Sequence, residues 1–365
     1  MRLLPSFSTI AGVFIACIAI NSIAYEGQKE GHKEGQKPVA HQAPVAARSV
    51  NDWLLRMHEA SKQRAYIGTF VVSVGADMSS AKIWHVCDGE LQMERVETLT
   101  GVPRSIFRRN NDVITFFPDQ KVARTEQRES LGLFPNFLKS NNTDIADYYA
   151  LKVLDAERVA GFEADVVQLS AKDSFRYSHR IWTERKSGLV VKLQTLDATG
   201  RVLEQAAFSE LSIDAPVKME RLAQMMGNTA GHKIERIELS KTTALAQGWV
   251  LSQGVPGFAS MACYKRSVQS AATVPVAVNA GNNSGANAVE ADAGNTMQWI
   301  FSDGLATVSL FVEVYDRKRH TQEGSMSLGA THTLTKRMNE SWLTAVGEVP
   351  LATLKIFAQQ LERKK

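Results

Sequence analysis

His58-Glu59 opens like the helix of a zinc protease, but the residue four places after His58 is Lys62, so the second imidazole ligand is missing. The eight histidines are scattered, with no pair at metal-ligand spacing, and no CxxC or CxxH supplies a structural zinc site. GxSxG, GxGxxG and GxxxxGK[ST] are all absent, so serine-hydrolase, dinucleotide and P-loop chemistry lack their anchoring residues. His85 and His179 fall inside predicted strands, where an imidazole is structural more readily than a general base. Asp and Glu are abundant, but nothing in their spacing pairs two of them for acid-base work. No catalytic residue, metal or cofactor is assigned, and the chain reads as a binding protein rather than an enzyme.

Its composition agrees. Of 365 residues, 44% are hydrophobic and 22% charged, a globular balance that excludes collagen-like and fully disordered chains. The 42 basic and 38 acidic side chains leave a net charge of +4, too thin an excess to argue nucleic-acid binding.

The elements that position these residues begin after a leader. Arg2, the apolar run Phe7 to Ile20 and the small residues Ser22-Ile23-Ala24 predict a secretory signal, 1–24, cleaved after Ala24, and an exported mature chain. Residues 25–48 hold the units EGQK, EGHK and EGQK. One Gly per unit defeats the helix that Glu and Lys at this spacing would otherwise support, so a flexible tether is expected. Cys87 and Cys263 fall in different predicted domains, and a disulfide between them is allowed but not indicated.

Ser49 is placed to N-cap a helix whose buried face is Trp53, Leu54, Met57 and Ala60. From Tyr66 the period changes to two, and eleven strands are expected up to Leu211, punctuated by Asp88-Gly89, Asn110-Asn111, Lys186-Ser187-Gly188 and Asp197 to Gly200. The expected fold is mostly β (α+β): a large domain, 49–214, built as a half-open antiparallel β-barrel with a helical lid, a linker at 215–231, and a smaller C-terminal α+β domain at 232–365. That smaller domain carries a low-complexity insertion at 271–295, strands up to Val346, and a last helix with Leu354, Phe357, Ala358 and Leu361 on one face.

A curved sheet with helices over it can enclose an apolar cavity. The candidate lining is Phe70, Val72, Trp84, Phe116, Val167, Ile181, Val191 and Leu193, with Leu131, Phe134, Phe137 and Leu138 as the lid, broken by Pro135. Arg104, Arg108, Arg109, Arg176 and Arg180 are candidates to meet acidic headgroups or an acidic partner.

Several stretches taken together resemble one family. They are Tyr66-Ile67-Gly68-Thr69-Phe70, Ile83-Trp84-His85, Asp88-Gly89, the run Asp112 to Gln120, Phe134-Pro135, Arg176 to Trp182 and Gly188-Leu189. Further on come Gly248-Trp249, Pro256-Gly257-Phe258, Ser302 to Ala306 with Ser309 and Phe311, and Val346 to Pro350. In this order they resemble the RseB/MucB family of periplasmic negative regulators of the sigma-E envelope-stress pathway. The resemblance implies a large domain similar to the lipoprotein carriers LolA and LolB. It also implies binding to the periplasmic segment of a membrane anti-sigma factor (RseA/MucA type), shielding of that segment from the site-1 protease, and release by a lipid or lipopolysaccharide signal. A homo-oligomer is compatible with it. The EGQK tether and the 271–295 insertion depart from the family pattern. A groove between two domains joined at Gly227 to Gly231 is the expected partner surface, and a lipid or lipoprotein carrier, or an enzyme acting on envelope components, are the other readings of the same fold.

Overall fold

The computed structural model describes residues 48–127, 145–270 and 296–364, which belong to one compact unit, Arg48–Lys365. Helix α1 (Val50–Gln63) starts where the sequence predicts, through a capping box. Ser49 Oγ accepts from the Asp52 amide at 3.2 Å, and the Asp52 carboxylate accepts the Ser49 amide at 3.0 Å. Val50, Trp53, Leu54, Met57 and Ala60 are buried along its inner face.

Six strands follow: β1 (Tyr66–Val74), β2 (Asp77–Asp88), β3 (Leu91–Thr98), β4 (Ser105–Arg109), β5 (Asp112–Phe117) and β6 (Val122–Gln127). The short α2 (Ile145–Tyr148) leads into β7 (Tyr149–Val159), β8 (Phe162–Ala171), β9 (Ser178–Glu184), β10 (Val190–Leu196) and β11 (Val202–Ile213), and α3 (Met219–Gly227) closes this N-terminal half. The C-terminal half runs β12 (Lys233–Lys241), β13 (Trp249–Leu251), β14 (Ala259–Ser270), β15 (Thr296–Ser302), β16 (Thr307–Val314), β17 (Gly324–Leu328), β18 (Thr331–Met338) and β19 (Ser341–Gly347), then α4 (Leu351–Gln360) and β20 (Leu361–Arg363).

Strand pairing links 18 of these into one sheet in the order β7-β8-β9-β10-β11-β1-β2-β3-β4-β5-β6-β12-β14-β15-β16-β19-β18-β17. Every pairing is antiparallel except β6 with β12. Among the described residues the path does not close, and β7 and β17 are its two edges. The mostly-β, half-open reading therefore holds. Leu131, Phe134, Phe137 and Leu138 of the expected lid lie outside the described residues.

The sheet is buried on both faces. Val167, Ile181 and Leu193 stand opposite one another on β8, β9 and β10 and pack beneath Trp53, Leu54 and Met57 of α1. Their chain neighbours Val166 and Trp182 turn the other way, into a second cluster with Phe70, Val191 and Phe208, because successive side chains of a strand point to opposite faces. A third cluster puts Phe107, Phe116 and Met93 against Leu222 and Met226 of α3. In the C-terminal half, Phe357 of α4 meets Phe301 at 4.9 Å and Phe258 at 5.7 Å between ring centroids, over Leu310 and Leu343.

Three local readings differ from the structure. β12 is not among the strands expected after the 215–231 linker, because Glu235, Arg236 and Glu238 interrupt its apolar residues; only its Ile237 is buried, since the strand is held by main-chain pairing on both sides. The run Met326 to Leu334 is two strands, turned at Gly329, whose φ of +60° suits a glycine. Leu361 leaves the last helix to begin β20, while staying buried.

Candidate partner interface

The largest concentration of buried charge lies between the two halves. Asp173 Oδ1 accepts the Phe175 amide at 2.9 Å, a turn that aims the Arg176 side chain inward. Arg176, 3% exposed, is held in a box of Tyr148 (4.5 Å to the ring centroid), Tyr149 and Phe258. Its guanidinium donates to both Asp173 oxygens at 3.0 and 3.1 Å, to the Pro256 carbonyl at 2.8 Å and to Asp303 Oδ2 at 2.6 Å.

Asp303 is fully buried in the turn between β15 and β16. Its Oδ1 accepts the amides of Leu305 (2.9 Å) and Ala306 (2.7 Å), and its Oδ2 also accepts the Tyr149 hydroxyl at 3.0 Å. Burial pushes the Asp303 carboxyl up while Arg176 and the two amides pull it down, and burial prevails. Burial and the facing carboxylate push the Tyr149 phenol well up, so it stays a donor. Gly257, at φ +79°, is required: a Cβ there would stand 2.5 Å from Arg176 Nη2. Thr353 at the start of α4 completes the joint, its hydroxyl donating to the Phe175 carbonyl at 2.8 Å.

Two further contacts tie the halves. The Lys233 amide donates to Lys121 O at 2.7 Å and begins the parallel ladder of β12 on β6, flanked by Arg124 and Glu235 at 3.0 Å. The turn between β17 and β18 reaches β1 and β11, where a Cβ on Gly329 would meet Val74 and Glu204, and the His332 ring stacks on Tyr177 at 6.3 Å. The joint expected at Gly227 to Gly231 leads directly into main-chain pairing, and among the described residues the halves meet through a ladder and a buried ion pair.

A second buried polar group lies wholly within the N-terminal half. Tyr66, His85, Glu94 and Arg108 are one cross-strand row on β1 to β4. Glu94 accepts from Arg108 Nε at 2.9 Å and pairs with His85 Nδ1 at 2.9 Å, and Tyr66 stacks on the imidazole at 5.0 Å. Burial pushes the Glu94 carboxyl up, but the hydrogen bonds from His85 and Arg108 and the Arg108 charge outweigh it and hold it at about 2. His179 has neither ring nitrogen bonded, and burial lowers it to about 4.

The eight lining candidates divide among three packing clusters. Phe70, Val72 and Val191 share one, Val167, Ile181 and Leu193 another, and Trp84 and Phe116 the third. By register Val167, Ile181, Leu193 and Val72 fall in one row across β8, β9, β10, β11 and β1, with Phe70 two residues along β1 on the same face; Val72 and Trp84 are half-buried and the other six are buried. Of the arginines, Arg108 and Arg176 are buried in ion pairs and turned away from any external headgroup. Arg180 is half-buried on Gln168, and Arg104 and Arg109 are exposed. The sequence reading missed Asp303 and Tyr149 as polar partners. Asp303-Gly304 carries a turn signal, and nothing local marks a carboxylate whose partner is 127 residues away.

Family models match both halves in order: the MucB/RseB N-terminal domain over residues 49–226 and the MucB/RseB C-terminal domain over residues 243–362. The chain belongs to the MucB/RseB family. Among its relatives, the sigma factor AlgU regulatory protein MucB of Pseudomonas aeruginosa is 27% identical over 319 residues, covering 84% of this chain and 89% of MucB. The sigma-E factor regulatory protein RseB of Haemophilus influenzae is 23% identical over 317 residues, covering 86% and 91%. A crystal structure of MucB in complex with MucA(peri) superposes with a TM-score of 0.60 at 23% identity, over 87% of this chain and all of that one. The seam described above thus joins two domains that the family carries together, and its residues Arg176, Pro256-Gly257-Phe258 and Asp303-Gly304 sit in stretches that carried the resemblance.

Proposed function

We propose that this protein is a periplasmic regulator that binds the periplasmic segment of a membrane anti-sigma factor, shields it from site-1 proteolysis and so restrains an envelope-stress sigma factor. The observation that carries the reading is the ordered match of both family domains across residues 49–226 and 243–362, alongside relatives named as sigma factor regulators and a MucB structure holding MucA(peri). Export through the leader, with cleavage after Ala24, belongs to the same proposal.

Release by a lipid signal is the finer part. For a lipid to release the partner, it must favour the state in which the partner binds worse. Titration calorimetry of the mature chain with the periplasmic domain of the cognate anti-sigma factor tests the binding: saturable one-site heat is expected, and its absence would falsify the reading. Repeating the titration with lipopolysaccharide present tests the input, with weaker apparent affinity expected and an unchanged affinity contradicting it.

A further inference from the structure

The two edges of the open sheet are built differently. β7 is defended: Lys152, Asp155, Glu157 and Arg158 are exposed along it, and its register with β8 shifts between Leu154 and Glu157, a bulge that spoils the ladder. β17 has none of these guards. Its five residues, Gly324-Ser325-Met326-Ser327-Leu328, are uncharged and all exposed, and pair with β18 in unbroken register. No described strand pairs with its outer side, and Met326 and Leu328 stand 68% and 61% exposed on one face. A strand this bare presents a row of solvent-facing main-chain donors and acceptors that another extended segment can pair with in register.

The charge around it says what kind of segment. From Glu313 to Arg337 the chain carries Arg317, Lys318, Arg319, Lys336 and Arg337 against Glu313, Asp316 and Glu323; Arg319 is spent on Glu313 and Asp316, which leaves Arg317, Lys318, Lys336 and Arg337 exposed. We propose that the outer edge of β17 takes an extended, acid-flanked segment of the anti-sigma partner by strand addition, with alternate apolar side chains of that segment meeting Met326 and Leu328. The inference rests on the proposed regulatory function and places the partner on the C-terminal half.

The test measures binding of the cognate anti-sigma periplasmic domain to the full mature chain and to Met326→Lys, with Val153→Lys on β7 as control. Met326 is exposed, so the variant is expected to keep the wild-type melting temperature. At least tenfold weaker binding is expected for Met326→Lys, and none for Val153→Lys. Hydrogen exchange on the wild type supplies the second readout, with at least tenfold slower exchange of amides in 324–328 once the partner is bound. Unchanged affinity in Met326→Lys, or amides in 324–328 that the partner leaves unprotected, overturns the edge proposal while the regulatory reading stands. A wild-type chain that does not bind overturns both. If Met326→Lys abolishes self-association seen by sedimentation and leaves partner affinity intact, the edge belongs to a second copy and the proposal is wrong.

Discussion

Two buried ion clusters in this protein use the same chemistry over very different distances in the chain. Tyr66, His85, Glu94 and Arg108 come together because β1 to β4 are successive hairpin strands, so the register that pairs main chains also aligns the side chains. Arg176 and Asp303 lie 127 residues apart and meet only when both halves have folded and docked. The local row lies within strands that are neighbours both in the chain and in the sheet. The distant pair, with Tyr149, Asp173 and the Pro256 carbonyl, decides how the two halves sit. A buried charge is therefore a poor index of stability alone; the chain distance it spans tells whether it supports an element or an arrangement.

Breaking the distant pair is expected to cost most. Arg176→Met leaves Asp303 buried with no cation, and a loss of about 3–5 kcal/mol is expected from urea unfolding. Exchange of amides along β6 and β12 is also expected to rise; a cost near that of the local cluster would erase the contrast. Glu94→Gln keeps the shape of the local row but removes its charge. Arg108 retains the Asn110 carbonyl and Gln92 as acceptors, so about 1.5–3 kcal/mol is expected, with the halves still docked. The same variant sharpens the pH dependence. Because the folded Glu94 is held at about 2, below its unfolded value, its stabilisation is present above the ordinary carboxylate range and is lost as pH falls from there toward 2. In Glu94→Gln that acid-limb slope is expected to shrink.

Gly257→Ala probes the distant cluster without touching a charge. The added methyl collides with Arg176 and Tyr148 at a positive φ, and about 1–3 kcal/mol of destabilisation is expected from thermal melts. His179→Phe is the smallest effect. The folded imidazole is lowered to about 4, so the unfolded chain binds the extra proton between about pH 6.5 and 4 and stability declines as pH falls through that window. Replacing the ring is expected to flatten that stretch of the pH-stability curve, and a slope identical to wild type would show that His179 is not buried neutral.

Local signals carried far in this sequence. The capping box at Ser49 and Asp52 and the hairpin turn at Asp88-Gly89 could be read because helix starts and tight turns are written within four residues. Strand faces were harder. Val166-Val167 and Ile181-Trp182 are apolar on both faces, so alternation could not tell which of them lines a space and which lies against a helix. The eight candidates fall in three packing clusters, yet Val72, Leu193, Ile181 and Val167 share one cross-strand row. β12 escaped because its hold is main-chain pairing to β6 and β14, which leaves no hydrophobic pattern. The seam was invisible for a simpler reason: a pair 127 residues apart has no spacing to read, although both of its partners sit in stretches by which the family is recognised.

The central claim, that this chain restrains an anti-sigma factor by covering its periplasmic segment, is tested most directly by proteolysis. The mature chain is added in excess to the cognate anti-sigma periplasmic domain before the site-1 protease, and cleavage is followed over time. The account predicts that cleavage slows in proportion to the fraction bound. Cleavage at the unprotected rate under conditions where the complex is saturated would contradict it.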